Sequence, residues 1–565
     1  MAGFCLCLTP GTVSAYATED RIVLNSELSV LVRDGRDLFL EVRPGQPTTY
    51  EGLAERFAGN RRLAAEISAA NDHEPPDRAE RLVLAFHLLH DDFRALVLRN
   101  LFPNDRPTQE GWFHTVRRGA VPTAGEGMWQ LAVWFTGDGD RFDELMAVNG
   151  LTTPELQPGQ TIRIPPKLLH RSLRESAVSD DGSLVYGSDR QGPYAGYRLK
   201  AGEAMYSSVV VRFTGRTRAE NVVQLAGELA ARSGISDMGD IPVGYVIKIP
   251  YSELTPEFLP PTHPRRKEAE ADRIERAEAL AEAPVPVTVG GLEGVLVIID
   301  PGHGGRDTGA IKYGLTEHEY VYDVACRLRR ILQERTAARV ELTLKDRKTG
   351  YKPSRGDRIK SNRQGEILTH PPFLAKKEGE ARIGVNLRWY LANSLYRNAL
   401  KTGTDKNKVV FLSLHADSRH PSLRGAMIYV PGARYRTRTY GVSGAAYAPF
   451  REVKEKPTIS FGKNQRVRSE AVSRELAADI LKGFRRQGLE IPKTKPVRDS
   501  IIRSKGRRWL PAVLRGNQVP TKVLVEMLNL SNKQDADVLE KARNREKLAT
   551  ALADGILTHF GEKPL

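Results

Sequence analysis

Two histidines and two glutamates lie where buried segments of the chain give way to turns, which is where catalytic side chains are commonly placed. His303 stands between glycines in VLVIIDPGHGG, directly after an unbroken apolar run. His415 follows the apolar run of NKVVFLSLHADSR, and Glu526 follows that of TKVLVEMLNLSN. Glu317 is near the start of TEHEYVYDVACRLRRILQER. Any one of these residues alone is usually structural, but together they could hold a metal ion and transfer a proton.

Two histidines and one carboxylate that leave a fourth position open form a common donor set of catalytic zinc sites. Zinc bound in this way polarises a carbonyl group and lowers the pKa of its water to about 7. A second carboxylate could accept the proton of that water and later donate it to a leaving amine. These residue types therefore predict metal-assisted hydrolysis of an amide.

Three apolar runs would position the candidate side chains. Val295–Ile299 is rich in β-branched residues without interruption, as is typical of a strand buried on both faces, and Val409–Leu414 and Val523–Val525 repeat the pattern. In an open α/β sheet the carboxyl ends of the strands line the ligand crevice. We therefore expect an open, mostly parallel sheet flanked by helices, with the site at one edge.

A helix is predicted between the first two of these strands, because apolar residues from Val321 to Leu332 recur with helical spacing. Thr316 and Glu319 fit a capping box, in which Glu319 would turn back to the backbone at the start of the helix. Glu317 would then keep its carboxylate free to face the turn that holds His303.

The motif DPGHGGRDTGA, Asp300–Ala310, is the most specific sequence signal. Through it, residues 295–560 resemble the zinc-dependent N-acetylmuramoyl-L-alanine amidases of the cell-wall and division type. The resemblance implies one Zn²⁺ bound by His303, Glu317 and His415. It also implies that Glu526, in VEMLNLSN, is the catalytic residue, and that the enzyme cleaves the amide between the lactyl group of N-acetylmuramic acid and L-alanine.

The sequence departs from the family pattern at several places. Leu528 and Asn529 replace a Gly-Phe pair, Asp417 replaces an asparagine, and a segment is inserted at about 347–380. None of these changes removes a predicted zinc ligand.

Two further segments are expected to contact substrate. The segment NLRWYLAN resembles a family helix, which nominates Arg388 and Asn393. The insert 432–465 is rich in arginine and tyrosine, and we expect three of its residues to border the cleft and bind anionic stem peptides: Arg434, Arg436 and Arg438. A solvated loop is the alternative interpretation of this insert.

The N-terminal half repeats a strand-helix-helix-strand pattern about every 50 residues, which indicates one unit used several times. The copies resemble LysM modules, small βααβ domains that bind N-acetylglucosamine-containing glycans. We assign a β hairpin with a weak copy to residues 21–100, a clear copy to 112–166 and another to 194–252. Asn149 and Gly150 in the clear copy are candidate glycan contacts. Degenerate modules that act as spacers are the alternative.

The remaining boundaries follow from composition. Residues 253–292 form a proline-rich, charged linker before the catalytic domain at 293–565, and residues 1–20 are interpreted as an export-signal remnant. The net charge of +16 favours an anionic surface or polymer. No zinc-finger or RNA-binding signature accompanies it, so no nucleic acid is expected as a partner. No apolar stretch approaches the roughly 18 residues of a transmembrane helix.

The sequence thus predicts a peptidoglycan amidase located in the periplasm or otherwise outside the cytoplasm, with a protein activator as a further candidate partner. Two other functions stay open. One is a non-catalytic peptidoglycan-binding protein with a degenerate amidase domain, and the other is a zinc peptidase that acts on stem peptides. Free stem peptides, shortened peptides or no products would distinguish the three.

Overall fold

The structure is a computed structural model that describes residues 19–45, 48–108, 110–116, 127–174, 179–282, 287–288, 291–503 and 507–565. The predicted export-signal remnant therefore lies almost entirely outside the described residues. The chain divides into two compact units. The N-terminal unit runs to Ala204 and also includes Glu228–Tyr251, whereas the C-terminal unit consists of Met205–Gly227 and Ser252–Leu565.

Short antiparallel sheets and short helices make up the chain as far as residue 250. Its described strands are β1 Glu19–Val23, β2 Leu28–Arg33, β3 Asp37–Val42, β4 Leu82–Ala85, β5 Arg106–Thr108, β6 Gly111–Thr115, β7 Thr161–Ile164, β8 Leu184–Asp189, β9 Gly192–Arg198 and β10 Val246–Pro250. Its α-helices are α1 Tyr50–Leu53, α2 Ala64–Ala69, α3 Asp91–Leu101, α4 Gly127–Thr136, α5 Phe142–Val148 and α6 Ala219–Ser233, and π-helical turns cover Ala54–Ala58 and Met205–Thr214.

The three predicted repeats all have the order strand, helix, helix, strand. In each of them the two strands pair antiparallel: β3 with β4, β6 with β7, and β9 with β10. The predicted hairpin in the first segment is also present, since β2 pairs with β3.

A side-chain amide joins the second helix to the last strand of the repeat. In the clear copy, the Asn149 amide donates to the carbonyls of Leu145 and Arg163 at 2.8 and 2.9 Å and accepts from the Arg163 N–H at 2.8 Å. Asn71 makes the same three bonds in the first copy. In the last copy, Ser233 accepts from the Lys248 N–H at 2.9 Å, so a hydroxyl replaces the missing asparagine.

The repeat also continues beyond its last strand, a feature the sequence analysis missed. LLHDDFR and LLHRSLR follow β4 and β7. In each, the histidine N–H donates at 2.7 Å to a phenylalanine carbonyl in the first helical region, His90 to Phe57 and His170 to Phe135. This bond fixes the chain leaving the repeat against its own first helix.

The C-terminal unit contains the predicted sheet. After α7 Pro264–Glu282, the described elements are β11 Leu296–Pro301, β12 Ile311–Lys312, β13 Leu315–Thr316, α8 Glu317–Arg335, β14 Arg339–Leu342, β15 Leu344–Asp346, β16 Gly365–Ile367, α9 Ala381–Lys401, β17 Val409–Asp417, β18 Met427–Tyr429, β19 Thr439–Gly441, α10 Arg451–Glu455, β20 Thr458–Ser460, α11 Lys463–Arg486, β21 Val497–Arg498, β22 Ile501–Ile502, β23 Arg508–Trp509, α12 Ala512–Arg515, β24 Thr521–Asn529, α13 Lys533–Glu540 and α14 Ala542–His559. The six-stranded sheet has the order β14-β11-β17-β24-β18-β21. Only the β24–β18 pair within it is antiparallel, so the described sheet is mostly parallel, as expected.

Both faces of this sheet are covered, which explains the unbroken apolar runs. Val297 and Ile299 pack into one core cluster, which also takes in buried residues of α8 and α14. Leu296 and Ile298 face the opposite cluster, to which α9 and α12 contribute. Since alternate strand residues point to opposite faces, every position of β11 is buried, and each large apolar side chain stabilises the fold by about 1.5–3 kcal/mol.

Candidate metal centre

The turn after β11 brings His303 to the carboxyl edge of the sheet. The backbone of His303 is left-handed, with φ of 62°. Gly302 precedes it because a Cβ there would lie 2.3 Å from Cε1 of His415. The two imidazole rings consequently approach edge to face, with centroids 4.9 Å apart.

The buried carboxylate of Asp300 fixes this turn. It accepts hydrogen bonds from Arg388 Nη1 at 2.7 Å and from the Ser413 hydroxyl at 2.8 Å, and it also bonds to the Thr343 hydroxyl. Arg388 bonds as well to the backbone oxygen of His303. Asp300 of the motif and Arg388 of α9 therefore fix the turn through hydrogen bonds.

The predicted ligands His303, Glu317 and His415 form one cluster. One ligand atom from each lies within 4.8 Å of the others. Oε1 of Glu317 is 3.2 Å from Nε2 of His303 and 3.1 Å from Nδ1 of His415. Two imidazole nitrogens and one carboxylate oxygen at this spacing fit the donor set of a zinc ion.

Neighbouring groups orient two of the three candidate ligands. Nδ1 of His303 lies 2.9 Å from Oδ1 of Asp307, which leaves Nε2 directed at the cluster. The backbone N–H groups of Ala310 and Ala416 donate to the two oxygens of Glu317 at 2.8 and 3.0 Å. Such partners fix the direction of a metal ligand before the metal binds.

The charges of the cluster depend on one another. Burial opposes the charged form of His303, but Glu317 and Asp307 outweigh it and raise the pKa of His303 to about 10. Burial also opposes ionisation of Glu317, but His303 and His415 outweigh it and hold the pKa of Glu317 well below its usual range. The cluster is thus built around an ionised carboxylate.

Glu526 lies on the strand next to His415, and the two residues are directly paired in the β17–β24 ladder. Its side chain is buried, and Oε2 has no hydrogen-bond partner among the described residues. Burial, followed by the charges of Asp417 and Glu317, raises the pKa of Glu526 well above its usual range. The structure therefore sets a protonatable carboxyl beside the three donors.

Two regions of the chain are similar to known protein families. Residues 297–558 match the family described as N-acetylmuramoyl-L-alanine amidase, and residues 123–165 match the LysM domain. Residues 297–558 are therefore similar to this family, and this region is called the amidase domain. The LysM match confirms the assignment of the clear repeat.

Individual proteins that match this chain are also named N-acetylmuramoyl-L-alanine amidases. The chain is 26% identical over 272 residues to N-acetylmuramoyl-L-alanine amidase AmiA of Escherichia coli (strain K12), which covers 47% of this chain and 76% of the relative. AmiA of Salmonella typhimurium matches to the same extent. Among solved structures, the amidase Ami1 from Mycobacterium smegmatis aligns at 19% identity with a TM-score of 0.30, over 48% of this chain and 99% of Ami1.

Two residues of the amidase domain that were expected to contact substrate are structural. Arg388 is 4% exposed and is bound to the turn beneath His303. Asn393 is fully buried, where its amide donates to the Gly516 carbonyl and accepts from the Gln518 N–H. Both side chains therefore have structural partners inside the domain, and their contact with substrate stays a prediction.

The arginines of the 432–465 insert have different surroundings. Arg434 pairs with Glu268 and Asp272 of α7 at 2.8 and 2.9 Å. Arg436 is buried over the ring of Phe461, where burial lowers its pKa to about 9. Its contact with a stem peptide was expected, but the buried side chain is not available for it. Arg438 is exposed, and its contact with substrate stays a prediction.

The two predicted glycan contacts in the LysM domain also have different surroundings. The Asn149 amide makes the helix-to-strand bonds described above, which gives it a structural role, and its contact with glycan stays a prediction. Gly150 is exposed in a left-handed turn with φ of 63°, and its role in glycan binding stays a prediction.

The predicted capping box of α8 is wrong, although its consequence for Glu317 holds. Thr316 is the N-cap residue but makes no side-chain cap bond. Glu319 accepts from the Asn362 N–H at 2.8 Å and lies 2.9 Å from His318, because the 347–380 insert supplies a closer donor. Glu317 is the first residue of α8, as expected.

Proposed function

We propose that the protein is a zinc-dependent amidase that hydrolyses the bond between the lactyl group of N-acetylmuramic acid and L-alanine in peptidoglycan. The observation that carries the proposal is the cluster of His303, Glu317 and His415 beside the buried Glu526. The cluster has the donor types zinc prefers, and a carboxyl group without a hydrogen-bond partner at Oε2 stands next to it. A zinc ion held there would supply Lewis acidity to the scissile carbonyl and to water.

The residues of the chain would divide the remaining work. Glu526 would accept a proton from the attacking water and pass it to the departing nitrogen of L-alanine. Its environment suits the second step, since a raised pKa favours the protonated carboxyl that donates. Asp307 would keep His303 oriented, and Asp300 with Arg388 would keep the turn in place.

The LysM domain would bring the enzyme to its substrate. Glycan chains of peptidoglycan contain N-acetylglucosamine, the sugar that LysM modules are expected to bind. The net charge of +16 would add attraction to an anionic wall. We place the protein in the periplasm or otherwise outside the cytoplasm, with roles in wall degradation and cell division. No helix in the described residues combines the length and apolarity that crossing a membrane requires.

The proposal is tested by digesting purified peptidoglycan with the full chain and identifying the products by mass spectrometry. Intact stem peptides with a free L-alanine amine are expected. A chelator should abolish their release and added Zn²⁺ should restore it. Shortened peptides would instead indicate the zinc peptidase, and binding without products would indicate a degenerate amidase domain.

The role of Glu526 is tested by Glu526→Gln, which keeps the shape of the side chain but removes its acid-base chemistry. Turnover should fall by about 10²–10⁴-fold, the usual contribution of a general acid-base group. Zinc binding by calorimetry should stay within about twofold. Glu334→Gln, on the exposed side of α8, is the matched control, and it should turn over at the rate of the unaltered protein.

A further inference from the structure

An open cavity of about 570 Å³ lies within the C-terminal unit, and two segments of its wall are close in sequence to candidate metal ligands. Four short segments of the chain contribute to its wall. The residues that matter for its chemistry are Arg218, Glu220, Lys312, Tyr313, Ser418 and Arg419.

Two residues of the cavity wall are close in sequence to candidate metal ligands. Tyr313 precedes the candidate ligand Glu317 by four residues, and Ser418 follows His415 by three. At 3.3–3.6 Å per residue, these distances are at most about 10–14 Å. Ser531 ties the two segments together, because its carbonyl accepts from the Tyr313 hydroxyl at 3.3 Å and its hydroxyl lies 2.8 Å from that of Ser418.

The far wall is the start of α6, which belongs to the last LysM-like repeat but packs within the C-terminal unit. Hydrogen bonds to its backbone carbonyls fix this segment. The His420 N–H donates to the Thr217 carbonyl at 2.9 Å, and Arg498 Nη1 donates to the Gly215 carbonyl at 2.6 Å. The ring of Tyr206 also lies 5.0 Å from that of His420. The repeat therefore supplies a fixed side of the cavity.

The wall of the cavity is cationic. Arg218, Lys312 and Arg419 face it, against the single acidic side chain of Glu220. The first turn of α6 also begins there, and the positive end of a helix dipole favours an anion.

Arg419 is the most informative of these residues. Its side chain is 1% exposed, yet Nε and Nη1 have no hydrogen-bond partner among the described residues. Nη2 donates to the Gly425 carbonyl at 2.7 Å, and the carboxylate of Asp417 is 3.9 Å from Nε. A buried guanidinium with unmade hydrogen bonds is unfavourable, and an anion in the cavity would satisfy it.

We propose that this cavity binds a carboxylate group of the stem peptide, an inference that rests on the amidase function proposed above. The N-acetylated sugars of the substrate are uncharged, and the lactyl carboxyl is part of the bond to be broken. The negative charge near that bond is therefore on the peptide. An extended peptide advances about 3.4 Å per residue, so a carboxylate three or four residues from the scissile bond would span the about 10–14 Å to the cavity.

The test compares two soluble muramoyl peptides that are identical except that one has free stem-peptide carboxylates and the other has carboxamides. The unaltered full chain should prefer the carboxylate form by about 10-fold or more in kcat/KM, mainly through KM. Arg218→Ala, at an exposed position, should reduce this preference at least threefold. Arg419→Met should reduce it further, with thermal unfolding used to check that the variant is folded.

Two further variants sharpen the result. Glu220→Gln removes the acidic group of the cavity and should increase the preference for the carboxylate form. Lys482→Ala removes a cation from the exposed face of α11, away from the cavity lining, and should keep the original preference.

Equal kcat/KM for the two substrates in the unaltered protein, or a full preference retained in Arg218→Ala, would overturn the carboxylate site while leaving the amidase function intact. If neither substrate is hydrolysed, the proposed function itself fails, and this inference fails with it.

Discussion

Asp307 controls the direction of His303 more directly than any other described residue. Its carboxylate is 2.9 Å from Nδ1 of that histidine, and it is part of the DPGHGGRDTGA motif. The sequence analysis assigned it no role, although its position four residues after the histidine was a usable signal. A carboxylate bound to the far nitrogen of a ligating histidine fixes the ring and increases its basicity.

We predict that Asp307→Ala weakens zinc binding by about 10–100-fold, the usual effect of removing such a partner. Competition with a fluorescent zinc chelator would measure the change. Asp537→Ala, at an exposed position of α13, is the control and should bind zinc as the unaltered protein does. An unchanged affinity in Asp307→Ala would show that the turn alone orients His303.

Arg388 is the second residue whose role the structure redefines. It neutralises Asp300, which is fully buried, and it also bonds to the backbone of His303. Removing one partner of a buried ion pair leaves an uncompensated charge, which costs about 3–5 kcal/mol. Arg388→Met should therefore lower the free energy of unfolding of the amidase domain by about this amount, as measured by denaturant titration.

Two measurements distinguish a structural ion pair between Arg388 and Asp300 from a contact of Arg388 with substrate. If Arg388 binds substrate instead, Arg388→Met would raise KM with little loss of stability. The double variant Asp300→Asn with Arg388→Met should be more stable than Arg388→Met alone, because it removes the unpaired charge.

For single residues, the sequence predicted which side chains form the candidate metal cluster better than it predicted which groups surround the other polar side chains. His303, Glu317 and His415 could be predicted to lie together because two of them follow buried strands, the third begins a helix, and the motif around His303 resembles that of zinc amidases. Arg388 and Asn393 could not be placed, because polar side chains on a helix look the same in sequence whether they face solvent or a buried carboxylate. Only packing against β11 and the loop after α12 decides between these cases.

Among the elements, the repeats depend on the link between their second helix and last strand. Asn149 forms three hydrogen bonds across this junction, and Asn71 forms the same three in the first repeat. Because the backbone groups of Arg163 lose their partners when the amide is removed, we predict that Asn149→Ala destabilises the LysM domain by about 1–3 kcal/mol.

Hydrogen exchange of β7 in the full chain would measure this effect, since its amides report local opening. Asp143→Ala, an exposed change on α5, should leave the exchange rate as it was. Equal exchange in Asn149→Ala and the unaltered protein would show that the strand is held by its pairing with β6 alone.

The observed strand ends show which part of each strand apolar patterning predicts. The runs Val295–Ile299, Val409–Leu414 and Val523–Val525 predicted strands that the structure extends to Pro301, Asp417 and Asn529. Each extension adds at least one polar residue that ends the apolar run: Asp300, His415, Asp417, Glu526 and Asn529. They continue the strands because neighbouring strands supply backbone partners at this edge, which hydropathy does not record. Two residues of the candidate site, His415 and Glu526, lie in these extensions.

For the whole molecule, the largest difference from the sequence concerns the last repeat. Its resemblance to the other copies predicted a separate module at residues 194–252, whereas Met205–Gly227 packs within the C-terminal unit. Similarity between repeats records how each copy folds locally. It does not record the surface on which a helix packs, so the cavity described above could not be predicted from sequence.

Residues 253–292 were predicted to be a linker, and their helix α7 packs within the C-terminal unit, largely through charged side chains. None of the nineteen residues of α7, all of which the structure describes, is buried. Arg265 and Arg266 donate to the carbonyls of Leu254 and Leu259 at 2.9 and 2.8 Å. Ion pairs also hold the helix: Glu268 and Asp272 with Arg434 at 2.8 and 2.9 Å, Glu275 with Lys463 at 2.6 Å, and Arg276 with Glu470 at 3.5 Å. Exposed pairs of this kind each contribute about 0.2–1 kcal/mol and are screened by salt.

We therefore predict that α7 leaves the C-terminal unit as ionic strength rises, while the sheet beneath it stays folded. The screening length falls from about 30 Å at 0.01 M salt to about 3 Å at 1 M, which is comparable to the spacing of the pairs. Hydrogen exchange of residues 264–282 should accelerate across this range, whereas that of β17 should not. Arg434→Glu should produce the same acceleration at low salt, because it turns two attractions into repulsions. Lys533→Glu, which reverses a charge on α13 away from the linker, should leave α7 protected at low salt. If α7 stays protected at 1 M salt in the unaltered protein, contacts other than ion pairs hold it in place.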